Sequence, residues 1–430
     1  MKTVIIVGGG YGGIALAKAL EKQISSKLGE QQVRVLLIDT KTHFYHSVGG
    51  LRAGVQDLDN RIFIPYTKLF KNPVNQVIHA TVTHFDSHTV FLNSAVPDFG
   101  LEIKFDFLVI ASGIRYPAPA RVELPLLEEG QQQMQQIRQQ IEQAQHILIV
   151  GGGPCGIELA GEIRDEYFDK RLTIIHSQPQ LGNASYIPLH YHRQLLHLLE
   201  SSNVNVLLND RAILPAQRQQ QTAFVPAHPL PATRNGADLS DVDFVFLASS
   251  SKPNVDWVQA SFPDLVAENG FVKVKSSLQV DHPTLARSVF VIGDVAALPE
   301  TKMAYRAAKS HAPIAAANII KLLQDPDASY DSLKKYKKAA DMMLITFGKD
   351  KGVTLLPWGI LAGNWISSRL KSKTLMIDRM WKEMNQQVPR VDPHRSSSFS
   401  SSPSKVPRYT GILFAISSIS AILYHYYTSD

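Results

Sequence analysis

Gly8, Gly10 and Gly13 carry the spacing that a pyrophosphate-binding loop requires. The first makes a tight turn, the second lets backbone approach a phosphate, and the third lets a helix pack closely on a strand. Gly9, Tyr11 and Gly12 complete the loop, and Asp39 ends the next apolar run, Val33 to Ile38. A carboxylate there can bind a ribose hydroxyl pair. The loop needs two elements to hold it. Val4-Ile5-Ile6-Val7 is a continuous apolar run, read as a strand buried on both faces. Ile14, Leu16, Ala19 and Leu20 mark a helix whose N-terminus offers free N–H donors and a positive dipole end.

The device returns at Gly151, Gly153 and Gly156, after the strand Ile147 to Val150 and before a helix carrying Glu158. The two loops start 143 residues apart (151 minus 8), which suits two nucleotide-binding domains and not a repeat array. The second strand of that domain ends at His176 and Ser177 instead of an acid. An acid there would repel a 2′-phosphate, so NADPH is tolerated alongside NADH. His176 reads equally well as an exposed turn histidine. Two dinucleotide sites in one chain imply one cofactor held and one exchanged, a flavin fed by a nicotinamide nucleotide.

Several further residues belong to that chemistry. Arg52 follows Lys41 to Val48 on a helical stretch, where it could pair with cofactor phosphates or lie on a solvated face. Val82 falls where an adenine could meet backbone groups. Phe105 to Ile110 is another buried strand, ending in the small residues Ala111, Ser112 and Gly113. Val289 to Ile292 leads to Gly293 and Asp294, expected at the N-terminal end of the following helix. There Asp294 would accept from a ribityl hydroxyl, or serve as a plain N-cap.

The fold class that follows is α/β, with two Rossmann-like dinucleotide domains, the second inserted in the first. The expected division is 1–118 and 271–325 for the FAD domain and 119–270 for the NAD(P) domain. Three prolines within 116–125 mark the crossing. A small region over 326–390, a Ser/Pro-rich linker over 391–408 and a hydrophobic helix over 409–427 complete the chain. Residues 411–427 would make a helix about 26 Å long, near the thickness of a thin membrane. No charge occurs between Tyr409 and Thr428, while Lys405 and Arg408 flank one end and tyrosines the other. A lipid bilayer is the expected partner, with the catalytic body facing the cytosol. An amphipathic helix or one docked on the body is the alternative.

The chain has 430 residues and a net charge of +6, from 44 basic and 38 acidic residues. No basic block is interleaved with aromatics, which argues against nucleic acid. One cysteine rules out an intrachain disulfide and suits a reducing compartment. The first strand starts within a few residues of Met1, so no signal peptide is expected. The Met-Lys start also lacks the Met-Gly acceptor of myristoylation.

Residues 1–325 resemble the flavoprotein oxidoreductases in which an NAD(P) domain splits an FAD domain. The resemblance rests on Gly-Gly-Gly-Tyr-Gly-Gly (8–13), Gly-Gly-Gly-Pro-Cys-Gly-Ile-Glu (151–158) and Phe-Val-Ile-Gly-Asp-Val-Ala (290–296). More narrowly, the chain is similar to the apoptosis-inducing-factor-like group that includes the ferroptosis-suppressor NAD(P)H:quinone oxidoreductases. That likeness rests on Leu51-Arg52-Ala53, residues 173–178, Lys302-Met303-Ala304-Tyr305, residues 347–353, Lys371-Ser372 and Trp381-Lys382. It implies FAD on Gly8 to Gly12, Arg52, Val82 and Asp294, and NAD(P)H on the second domain. Ser112 and Ser249 replace the usual Thr of this family's strand ends, and Ser250 replaces a glycine. From the Met-Lys start, the N-terminal lipid anchor of part of the group is not expected here.

Disulfide reductases of this superfamily pass electrons through a cysteine pair. Cys155 alone cannot, so electrons must leave the flavin directly for a small acceptor that stacks on it, such as a quinone. Lys302 is the nearest candidate for polarising flavin or quinone, and a solvated lysine is as good a reading. The rival from another class is a nucleotide-sensing interaction protein with little turnover.

Overall fold

Unbroken apolar runs form strands covered on both faces, and such strands build parallel sheets. In the computed structural model, β1 (Lys2–Val7) leads through the first glycine loop into α1 (Tyr11–Lys27) and back to β2 (Val33–Asp39). After α2 (Ser47–Ala53) come β3 (Gln76–His79) and β4 (Phe107–Ile110). The register is parallel throughout, with Ile5 beside Leu36, Ile6 beside Val109 and Leu37 beside Val77.

The description covers residues 1–389 except 30–31, 183–186, 216–221, 249–250, 301, 339, 341, 357–358, 363 and 365–373. The expected linker and the hydrophobic segment 409–427 therefore lie outside the described residues, as do Ser249 and Ser250. Among the described residues no helix is long and apolar enough to cross a membrane.

A second sheet repeats the plan with β5 (His146–Val150), α3 (Pro154–Glu166), β6 (Arg171–His176), β7 (Val204–Leu208), β8 (Ala223–Phe224) and β9 (Phe244–Leu247). Its order is β7-β6-β5-β9-β8, with β8 antiparallel at the edge. The chain then returns as β10 (Val289–Val291), which pairs with β4 and completes the first sheet in the order β10-β4-β1-β2-β3. In each sheet the strand before the glycine loop is central.

The outward and returning chains cross as a short antiparallel pair, Ile114–Arg115 with Lys252–Pro253. Beyond it, Trp257, Val258 and Leu265 already pack with Ile5, Leu36 and Phe85 in the core of the first sheet. That return comes earlier than the expected 270. After β10 the order of elements departs from expectation. Gly293–Val295 is a single 3-10 turn, and among the described residues no helix starts until Ala304. Ala296 is extended, and Pro299 bars its predecessor from helical conformation. Asp294 thus sits in a tight turn, not at the end of a long helix. Residues 304–311 then run into α4 (Ala312–Gln324) through a π-helical turn, Ala307–His311.

A sheet formed by 343–347, 351–355 and 361–362 lies on α3. Gly161 permits that approach, since a Cβ there would come within 2.5 Å of the Phe347 Cα.

Candidate functional site

The carboxyl ends of β1, β2, β4 and β10 open onto a cleft of about 780 Å³, mouth included. Gly8 forms its floor with φ +112°, a conformation that side chains resist. A Cβ on Gly13 would overlap the Gly8 carbonyl, so glycine there sets the helix–strand distance. A Cβ on Gly10 would meet nothing within 4 Å. That free space lies at the N-terminus of α1, whose N-cap, Gly10, makes no side-chain cap. Uncapped N–H groups facing an open cleft fit a pyrophosphate.

Asp39 is buried at the end of β2. Its Oδ2 accepts from the Gly9 N–H at 2.5 Å and its Oδ1 from the Lys41 N–H at 2.8 Å. The Tyr66 hydroxyl donates to the Gly9 carbonyl at 2.8 Å, bracing the loop from the other side. Burial, then the neighbouring Asp39 charge, pushes the Tyr66 hydroxyl well above its usual pKa. Tyr11 lines the cleft and contacts His46 Nδ1 at 2.9 Å, with its own pKa pushed up to about 12 by burial.

Asp294 faces this loop across the cleft. Burial pushes its carboxyl up, against the pull of Arg121 and Lys302. Arg121 lies 3.8 Å away and also lines the cleft. Glycine loop, Asp39 and Asp294 thus converge on one space, as the sequence implies. Tyr66 and Arg121 are additions. Arg121 sits in the proline-rich crossing, where a cation among apolar residues is the only hint of it, and Tyr66 leaves no pattern at all.

Other expected residues go elsewhere. Arg52 is 4% exposed and bidentate on Glu162 of α3, at 2.7 and 3.0 Å. A guanidinium without water takes the carboxylate that packs against it, so the expected phosphate contact gives way to an ion pair between α2 and α3. Val82 is buried at the start of a strand over 82–85 and does not line the cleft with its side chain; the contact expected there is through its backbone, which that burial does not decide. Lys302 points its ammonium at the carbonyls of Ala296 and Leu298 and over the Phe271 ring, 4.7 Å from its centroid. It too lies outside the lining, and burial lowers its pKa.

The second loop is built alike. Gly151 has φ +128°, and a Cβ on Gly156 would overlap the Gly151 carbonyl. Gly153 caps α3 with Pro154 at its first position. His176 is neither exposed nor aimed outward. Its Nδ1 accepts from the Gly152 N–H at 3.2 Å and its Nε2 donates to the Gln180 carbonyl at 3.1 Å. Burial lowers its pKa, which keeps it neutral in this role. Ser177 follows, half-buried. Glu158, on the first turns of α3, accepts from the backbone N–H and the hydroxyl of Thr346, at 3.0 and 2.9 Å. Cys155, half-buried, lies in the same turn of α3. Among the described residues no His, Cys, Asp and Glu group could hold a metal ion.

A family model described as pyridine nucleotide-disulphide oxidoreductase matches residues 2–312. The chain is 32% identical over 405 residues to apoptosis-inducing factor homolog B of Dictyostelium discoideum, covering 91% of this chain and 98% of that protein. It is 31% identical over 392 residues to ferroptosis suppressor protein 1 of Mus musculus, covering 90% and 96%. Among solved structures, the sulfide:quinone oxidoreductase of Aquifex aeolicus superposes with a TM-score of 0.65 at 18% identity, over 90% of this chain and 92% of that one. The chain therefore belongs to the pyridine nucleotide-disulphide oxidoreductases, as an FAD-dependent oxidoreductase that works with NAD(P)H.

Proposed function

We propose that the chain is an NAD(P)H:quinone oxidoreductase whose electrons pass from the flavin straight to the quinone. The observation that carries the reading is the cysteine count. Cys155 is the only cysteine in the sequence, so the dithiol of the family's name has no counterpart here. The motifs shared with the ferroptosis-suppressor group favour a quinone as acceptor. Bound FAD supplies the chemistry, accepting a hydride and returning two electrons. The chain's part is to hold and align. Gly8 to Gly13 and α1 take the pyrophosphate, Asp39 the ribose and Asp294 the ribityl chain, with Arg121 as the cation facing them. Gly151 to Gly156 and α3 take the nicotinamide nucleotide.

NADPH is a competent donor in this reading, because no carboxylate follows β6. Residues 409–427 anchor the chain in a bilayer, where long-chain quinones dissolve. Steady-state oxidation of NADH and of NADPH, with and without a water-soluble quinone, tests the function. Quinone-dependent turnover by purified yellow protein supports it. A protein without flavin absorbance, or one whose oxidation rate ignores quinone, overturns it.

A further inference from the structure

Behind the Gly293–Asp294 turn lies a buried polar cluster that the cofactor reading does not use. His311 is 1% exposed, Arg306 4% and Tyr336 8%. The Glu300 side chain is 2% exposed. The Gly293 N–H donates to His311 Nδ1 at 3.0 Å. An imidazole that accepts at Nδ1 while neutral carries its proton on Nε2. Nε2 lies 3.0 Å from Glu300 Oε1, in contact though not in good alignment. Tyr336 donates its hydroxyl to Glu300 Oε2, and the Arg306 guanidinium stands 3.6 Å from the same oxygen. Tyr336 also packs edge-on against the imidazole, centroids 4.7 Å apart. Burial pushes the Glu300 carboxyl up, but its contact with His311, the Tyr336 hydrogen bond and the Arg306 charge outweigh that and leave it below its usual pKa.

The backbone is arranged for this contact. His311 ends the π-helical turn Ala307–His311, and an extra residue per turn rotates the side chains that follow. Gly293, with φ +78°, lines the cofactor cleft and places Asp294 next to it.

We propose that His311 is a positioning residue for the flavin site. Its neutral imidazole clamps the Gly293 amide and so fixes where the Asp294 carboxylate stands, while Glu300, held by Tyr336 and Arg306, sets which nitrogen carries the proton. The inference rests on FAD occupying the cleft and is independent of which acceptor takes the electrons.

The test is FAD titration of apoprotein, with hydrogen exchange followed in a peptide spanning 290–298. His311→Leu leaves a buried N–H without a partner, so its FAD dissociation constant rises by about tenfold or more, with faster exchange at Gly293. His311→Asn returns an acceptor at the Nδ1 position and restores affinity to near the parent value. His311→Gln, whose amide reaches the Nε2 position, does not. Glu300→Gln removes the charge and keeps one carbonyl acceptor, for Nε2 or for Tyr336 but not for both, with a smaller loss expected. Should the leucine variant fail to fold, the Asn and Gln variants decide between themselves. Equal affinity and equal exchange in those two overturn the proposal, as does a leucine variant that binds FAD like the parent. None of these readouts uses quinone turnover, so a wrong acceptor does not affect them.

Discussion

Arg52 and Glu162 face each other with both side chains out of water, 5% and 4% exposed. Removing one partner strands the other charge, which costs about 3–5 kcal/mol, whereas replacing both with apolar residues of similar volume is near neutral. Arg52→Met should therefore lower the melting temperature sharply, and Arg52→Met with Glu162→Leu should recover most of it. Folded Arg52→Met should keep its flavin-to-protein ratio. Loss of flavin from folded protein would give Arg52 back the phosphate role that its sequence position suggests. His46 offers a second test at this scale. Burial lowers its pKa to about 4, while the Leu375 carbonyl at 2.6 Å holds it in place. Its folded pKa lies below the unfolded 6.5, so the unfolded chain binds more protons between pH 6.5 and 4 and stability falls as pH falls through that window. His43, also lowered to about 4 by burial, acts in the same direction. The His46 contribution is about 3 kcal/mol across the window. Urea unfolding at pH 7 and pH 4.5 should show the loss, and His46→Gln should reduce it.

At the scale of elements, the two strand–loop–helix units are alike in form, and the proposed function gives each a different nucleotide. Gly13 and Gly156 each stand where a Cβ would overlap the carbonyl of the first loop glycine. Gly13→Ala should push α1 off β1 and release FAD. Gly156→Ala should leave the yellow colour and raise the KM for NAD(P)H instead. Absorbance and steady-state kinetics separate the two, and colour loss in Gly156→Ala would mean the lobes are coupled through the ion pair between α2 and α3. These units were readable in the sequence because apolar runs, glycine spacing and a terminal acid are local patterns. The turn after β10 was not. A strand ending in Gly-Asp suggests a helix start, and only the extended Ala296 with Pro299 beyond delays the helix to Ala304. The partners of His176, Glu158 and Lys302 were hidden for another reason. His176 meets Gly152, Glu158 meets Thr346 and Lys302 lies over Phe271. Spacing along the chain carries no trace of such distant contacts, and the nearer bonds to Gln180, Ala296 and Leu298 follow loop conformations that no local pattern announces.

For the whole molecule, the insertion of one nucleotide lobe in the other was legible from the return strand Val289–Val291, whose apolar run matches β1 and β4. The small sheet on α3 was not, since strands 343–347 and 351–355 could pair in many places and only Gly161 marks where they dock. Residues 409–427 carry the membrane proposal on their sequence alone. Ending the chain after Pro389 should give soluble protein that still reduces water-soluble quinones but reduces liposomal quinone far less, because anchoring raises the effective concentration of enzyme at the bilayer. A truncated protein that still pellets with membranes would place the anchor elsewhere. The central claim, a flavin that feeds its acceptor with no dithiol between them, is tested most directly by anaerobic stopped-flow absorbance on Cys155→Ser. The account predicts that NADPH bleaches the flavin band and that one equivalent of soluble quinone restores it, both at the parent rates. A flavin that bleaches and then stays reduced in the presence of quinone would contradict it.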